Sequence, residues 1–200
     1  MGQKVTTMRT AIARNRHAVA VMDAAIPAYD AAIRAATPSE RDSARRWYAF
    51  AGSFSRALAY AAGWSHEGAA CVVSAFSPRV RWDTNLRKAL AFACGETPKG
   101  LRAHVDAARR GIAEGFAGLR ALKTHNFARA IAGDREAVVI DVWMCRIAGL
   151  AKDAPNVTEY RALADAVRSV AAKHGLDPAE AQALIWVVGR GSAGWGGGAP

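Results

Sequence analysis

Lys123 and Asp141 stand eighteen residues apart, each in a setting that invites chemistry. Lys123 opens the stretch LKTHNFARAIAG, and Asp141 follows an apolar run and begins DVWMCRIAG. The pattern predicts an amine and a carboxylate at the mouths of two successive helices. A lysine amine can attack a sugar C1′ and form a Schiff base. An aspartate can stabilise developing positive charge or activate a nucleophile. A helix start favours the ionised carboxylate and disfavours a protonated amine. The same two residue types also make ordinary salt bridges, which at a surface contribute little.

The surrounding elements must position that pair, and they read as helices throughout. A helix is expected from Val5 to Ala36, disturbed near Pro27, with Ile12, Val19, Met22, Ile26, Tyr29 and Ile33 as its apolar stripe. Thr37-Pro38-Ser39-Glu40 is a helix start, with a capping hydroxyl, proline in the first turn and then an acid. That helix should reach Ala62 and stop at Gly63, burying Trp47, Phe50, Phe54, Leu58 and Ala61. Ser65 begins a third helix, with His66 in its first turn, and Ser77-Pro78 ends it. The turn SPRVRW follows; Asp83 or Thr84 should then cap a helix carrying Leu86, Leu90 and Phe92. Further helices are expected over Leu101–Gly115, from Lys123 to Gly133, from Asp141 to Leu150, from a Thr158 cap to His174, and from Asp177-Pro178 through Val188. The Val138-Val139-Ile140 run is extended but too isolated to make a sheet. The expected fold class is therefore all-α: one domain over residues 1–190, then a flexible glycine-rich tail at 191–200.

Composition narrows the partners. The chain carries 27 Lys+Arg against 17 Asp+Glu, a formal net charge of +10. Such an excess suits a polyanion, above all nucleic acid, through phosphate neutralisation. Cys71, Cys94 and Cys145 are dispersed and odd in number, with no CxxC spacing. They read as buried packing residues in a reducing compartment, with no metal and no cofactor implied. Apolar runs are broken well short of a membrane span, and no signal peptide is evident, so a cytoplasmic location is expected. His17, His104 and His174 read as surface residues, and His125 points away from Lys123.

Three segments carry a resemblance. GLRALKTHNFARAIAGDREAVVIDVWMCRIAG resembles the core of the helix-hairpin-helix DNA glycosylase superfamily, with Lys123-Thr124 as its lysine-threonine pair and Asp141 as its catalytic aspartate. Val73-Ser74-Ala75-Phe76 is similar to the preceding core helix of that superfamily. The glycine-rich hairpin before the lysine is missing: only Gly118 stands in Gly118-Leu119-Arg120-Ala121-Leu122. A divergent phage branch, the α-glutamyl/putrescinyl thymine pyrophosphorylases, is more similar still. Its "SPRxxWxxN" turn resembles Ser77 to Asn85, its "LKTxxFxxxI-GD" helix resembles Leu122 to Asp134, and its "xxIDxWMxR" segment resembles Val139 to Arg146. Gln182-Ala183 and Trp186 fit a later motif of that branch.

The resemblance implies hypermodification of thymine in DNA, in which an activated 5-hydroxymethyluracil loses its (pyro)phosphate to an amine or amino acid. An amino acid or polyamine is then a co-substrate, and the host cytoplasm the location of a phage-encoded chain. Lys123 and Asp141 are the candidate catalytic residues. Arg79, Arg81 and Lys123 would meet the leaving phosphate, Asn85 and Asn126 the uracil edge, and Trp82 or Trp143 would stack on the extruded base. The alternatives are a glycosylase with lyase activity and a non-catalytic DNA-binding module.

Overall fold

A computed structural model of the chain describes residues 16–100, 102–152 and 154–191. They form nine α-helices and one 3-10 turn, with no strand. In chain order the helices are α1 (Arg16–Ala35), α2 (Pro38–Ala62), α3 (His66–Phe76), α4 (Trp82–Ala93) and α5 (Arg102–Glu114). The 3-10 turn Gly115–Gly118 follows, then α6 (Leu122–Ala132), α7 (Val142–Ile147), α8 (Val157–His174) and α9 (Pro178–Arg190). The all-α expectation holds. Residues 192–200 of the glycine-rich tail, Ile12 and the start of the first expected helix lie outside the described residues. The described residues group into two compact units: 16–44 with 140–191, and 45–139.

In the first unit α1, α7, α8 and α9 pack together. Helix α1 buries Ala18, Ala25, Tyr29, Asp30 and Ile33, and it runs unbroken through Pro27. Asp23 and Pro27 are both exposed, so water can satisfy the carbonyl that a proline leaves without its donor. Helix α8 starts at an Asn156 cap rather than at Thr158: Asn156 and Glu159 bond each other's backbone N–H in a capping box. The spacing of cap to N3 acid explains the shift, because Glu159 lies three residues after Asn156. Gly175 ends α8 in the left-handed region, φ 65°.

Two buried acids tie this unit together. Asp30 of α1 accepts from His174 Nε2 at 2.7 Å and pairs with Lys173 at 2.9 Å, both on α8. Hydrogen bonds from Lys173 and then His174 hold the Asp30 carboxyl down at about 2. Glu159 faces His17 at 2.9 Å and Lys152 at 2.8 Å. Burial alone would raise the Glu159 carboxyl; the bonds from Lys152, His17 and the Asn156 backbone overcome it and lower it to about 2. His17 is exposed, as expected, and still pairs with Glu159, while His174 is half-buried against Asp30.

The second unit is built around α3, in which every residue from Gly68 to Phe76 is buried. A helix apolar on all sides needs neighbours on all sides, and α4, α5 and α6 pack on it. Helix α5 comes close at Gly111, where a Cβ would overlap Cys71. Ser65 caps α3 by accepting from the Gly68 N–H. Two apolar stripes differ from expectation. Along α2 within this unit, Trp47, Ala51, Ser55, Leu58 and Ala59 are buried, whereas Phe50 is exposed, Ala61 exposed and Phe54 half-buried. Along α4, Asn85 and Ala89 are buried, while Leu90 is exposed and Leu86 and Phe92 are half-buried. Helix α4 starts at Trp82 with Arg81 as its cap residue, not Asp83 or Thr84. Cys71 and Cys145 are buried as expected; Cys94 is exposed at the end of α4.

Candidate functional site

Asp141 is the cap residue of α7, in extended backbone. Its Oδ1 accepts from the backbone N–H groups of Trp143 at 2.9 Å and Met144 at 3.1 Å. Its Oδ2 accepts from the indole Nε1 of Trp186, on α9, at 3.0 Å. The α7 backbone is itself pinned, because Tyr29 donates to the Met144 carbonyl at 3.0 Å. Burial, with the nearby Cys145 and Asp141, pushes the Tyr29 phenol far up, so it stays a donor. A carboxylate offers about four acceptor positions. Three of those around Asp141 are filled by fixed N–H groups, and the remaining one leaves it an orienting acceptor.

Trp143 and Trp186 form a platform beside that carboxylate. The Arg146 guanidinium lies over the Trp143 ring at 5.3 Å. Arg190 lies over Trp186 at 4.8 Å and over Trp143 at 6.0 Å. Trp143, expected as a base platform, here supports two guanidinium groups. Trp186 was visible in the sequence only as part of a motif; its bond to Asp141 spans 45 residues. Arg190 carried no sequence signal, since its role depends on where α9 packs.

The other candidates fall in the unit of residues 45–139. Asn85 is 1% exposed, and neither Nδ2 nor Oδ1 finds a hydrogen-bond partner. One turn earlier on α4, the indole Nε1 of Trp82 is buried and likewise unpartnered. Residues at this spacing share a helix face. Trp82 packs on Trp47, ring centroids 4.8 Å apart, and edge-on to Phe127 at 6.3 Å. Phe127 also meets Tyr48 at 6.4 Å. Trp47, Tyr48 and Phe127 were not singled out for the site, because an aromatic at helical spacing reads as core.

Lys123 lies one turn before Phe127 on α6, on the same face. The start of α6 is fixed to α3 by Ser74, whose hydroxyl donates to the Thr124 carbonyl at 2.7 Å. His125 bonds the Phe116 carbonyl at 3.0 Å and so ties the 3-10 turn to α6. Asn126 donates back to the Leu122 carbonyl at 3.0 Å, an intrahelical bond that occupies part of its amide. Arg81 lies 3.7 Å from Asp83, which also pairs with Arg87 at 2.8 Å. Arg79 is exposed and sits at φ 59°, the single non-glycine residue in the left-handed region among those described. Such strain is held only where the surrounding turn dictates it.

Lys123, Arg79, Arg81, Trp82, Asn85 and Asn126 therefore belong to one unit, and Asp141 and Trp143 to the other. Among the described residues no group of His, Cys, Asp and Glu is arranged to hold a metal, and no helix is long and apolar enough to cross a membrane.

These features define an all-α protein with an N–H-clamped carboxylate in one unit and an aromatic cluster with unpartnered polar atoms in the other. The chain belongs to the family of unknown function DUF7178, whose model matches residues 14–193. No curated protein and no solved structure matches it.

Proposed function

We propose that the protein is a DNA base-modifying transferase with a helix-hairpin-helix glycosylase-like fold, replacing the (pyro)phosphate of an activated 5-hydroxymethyluracil with an amine or amino acid. The observation that carries the reading is Asn85. Burying an amide without partners costs about 1–3 kcal/mol, and proteins keep such groups where something else will satisfy them. An Asn amide presents a carbonyl acceptor and N–H donors, which together complement the N3–H and a carbonyl of uracil. Trp82, with its own unpartnered N–H, and the rings of Trp47 and Phe127 supply the flat apolar surroundings a flipped base requires.

Charge supports a nucleic-acid partner. Residues 45–139 hold 15 Lys+Arg against 7 Asp+Glu, so most of the chain's excess positive charge falls in the unit that contains Asn85. In the reaction, the bond from the 5-methylene carbon to the phosphate oxygen breaks, and the phosphate leaves with the electron pair. A bond from the same carbon to the amine nitrogen forms, and the amine loses its proton to a carboxylate. Lys123 and Arg79 supply cationic donors to the leaving group.

The test is DNA bearing phosphorylated 5-hydroxymethyluracil, offered with amino acids or putrescine, with nucleosides read by mass spectrometry. A substituted thymine that is lost in Asn85→Leu is the expected result. Unchanged nucleosides with every amine overturn the transferase reading. The glycosylase alternative draws on Lys123, which forms no ion pair among the described residues and so is available as a nucleophile. Borohydride trapping of a protein–DNA adduct, lost in Lys123→Gln, would select it.

A further inference from the structure

The amide of Asn85 does not by itself select one pyrimidine. An asparagine side chain carries a carbonyl oxygen on one side and an NH2 on the other, and the two exchange places when the amide turns over. Turned one way, it complements the N3–H and a carbonyl of a uracil ring. Turned the other way, it complements N3 and the N4 amino group of a cytosine ring. A site that reads a base through Asn85 alone accepts either.

An indole N–H has no such freedom, because it donates and never accepts. Nε1 of Trp82 is buried without a hydrogen-bond partner, as are Nδ2 and Oδ1 of Asn85. The two residues stand three apart on α4, a spacing that sets their Cβ atoms about 5–6 Å apart on one helix face. An indole N–H and an amide oxygen could pair along the helix from there, yet neither bonds the other. The Trp82 ring is held from outside α4, by Trp47 at 4.8 Å and by Phe127 edge-on at 6.3 Å. Ala89, one turn beyond Asn85, is buried and brings only a methyl group to this face.

We infer that Trp82 is a specificity-determining residue of the Asn85 site. Its Nε1–H donates to the ring carbonyl at position 4, while Asn85 takes the N3–H and the carbonyl at position 2. The inference rests on the base-modifying reading given above. The ligand class is an imide ring, whose edge runs acceptor, donor, acceptor; the two side chains offer donor, acceptor, donor. A 4-aminopyrimidine sets its N–H2 against the indole N–H, so two donors meet with no acceptor between them. A buried donor left unsatisfied is how a hydrogen-bonding site rejects a ring of the same shape. Trp82 thus acts through its edge rather than as a stacking face.

The experiment uses the full chain with putrescine or amino acids and reads nucleosides by mass spectrometry. The DNA carries phosphorylated 5-hydroxymethyluracil, its 4-thio form, its 2-thio form, or phosphorylated 5-hydroxymethylcytosine. Sulfur is a weak acceptor. The wild type should prefer uracil to cytosine by at least about 10²-fold and slow about tenfold on the 4-thio ring. Trp82→Phe keeps a ring between Trp47 and Phe127 and removes the N–H. It should narrow the uracil-to-cytosine ratio about tenfold and no longer distinguish the 4-thio ring. The 2-thio ring should slow both proteins alike, through Asn85.

An unchanged ratio in Trp82→Phe, or equal slowing of both proteins by the 4-thio ring, overturns the role of Trp82. Wild-type transfer that is lost in Asn85→Leu then leaves the Asn85 reading standing. Should Trp82→Phe lose its helical circular dichroism, the wild type decides alone: slowing by the 4-thio ring supports the inference, and equal rates on the 4-oxo and 4-thio rings overturn it. A wild-type chain that transfers to none of the rings removes the base-modifying reading and this inference together.

Discussion

The two units differ in how many of their buried polar atoms lack a partner. In residues 16–44 and 140–191, Asp30, Glu159, Tyr29 and Tyr160 are buried and each has a hydrogen-bond partner. In residues 45–139, Ser55, His66, Trp82 and Asn85 bury polar atoms that have none. Charge divides along the same line: the first unit is close to balanced, and the second is strongly basic. Unpartnered buried groups lower stability, and an excess of one sign adds self-repulsion. The first unit spends its polar groups on its own architecture. The second, apart from Ser74, which donates to the Thr124 carbonyl, holds buried polar atoms that no group in the chain satisfies.

That contrast can be broken most directly at Asn85. On the proposed transferase reading, Asn85→Leu should reduce transfer to the base by at least about 10²-fold, since a site that loses its hydrogen-bonding group loses discrimination on that scale. The same change should raise the thermal midpoint, by a gain of about 1 kcal/mol, because the buried amide is unpartnered. Loss of activity together with loss of stability would show Asn85 to be an ordinary structural group and erase the contrast.

Trp186→Phe tests the other unit. It removes one N–H from a carboxylate and should destabilise by about 2 kcal/mol, read by urea unfolding. A neutral result would mean that Asp141 is not held as described.

Acid should act on the first unit through Asp30 and Glu159. Both carboxyls are depressed to about 2 in the folded state, below the ordinary carboxylate range near 4. The stability they contribute is therefore complete above about pH 4.5 and is lost as pH falls towards 2. Melting temperatures between pH 6 and pH 2 should show the fall, and Asp30→Asn should flatten it. A wild-type midpoint that is constant across this window would contradict the two clusters.

The smallest effect is chemical. Cys94 should react quickly with a thiol reagent under native conditions, and Cys71 and Cys145 only on unfolding. Burial, followed by the Glu67 charge, pushes the Cys71 thiol up to about 12. Labelling Cys94 should leave the helical signal unchanged, and equal reactivity of all three would contradict their burial.

Helix starts were largely legible because capping is local chemistry. Thr37 with Glu40, Ser65, and Asp177 followed by Pro178 each announce a first turn within four residues, and each marks one. Stripes were less legible. Alanine packs against a core or faces water with little difference in cost, so α2 and α4, rich in alanine, do not reveal which face turns inward. Their larger residues, Phe50 and Leu90, pointed the wrong way. Part of the candidate site was readable as residue types: Lys123, Asp141, Trp82, Asn85. Its partners were not. The Trp186 bond to Asp141, the arginines over the indoles and the lack of any partner for Asn85 all join segments distant in the chain.

From composition, helical spacing and caps alone, this chain is an all-α, basic protein with an amine and a carboxylate at the starts of two helices. These are properties of neighbours along the backbone, where a few residues fix the local geometry. Tertiary packing alone decided that Asp141 is clamped by three N–H groups, that Arg190 lies over two indoles, and that Asn85 is buried unpaired. Each depends on which helix faces cover one another, and desolvation is a property of that covering rather than of any single segment.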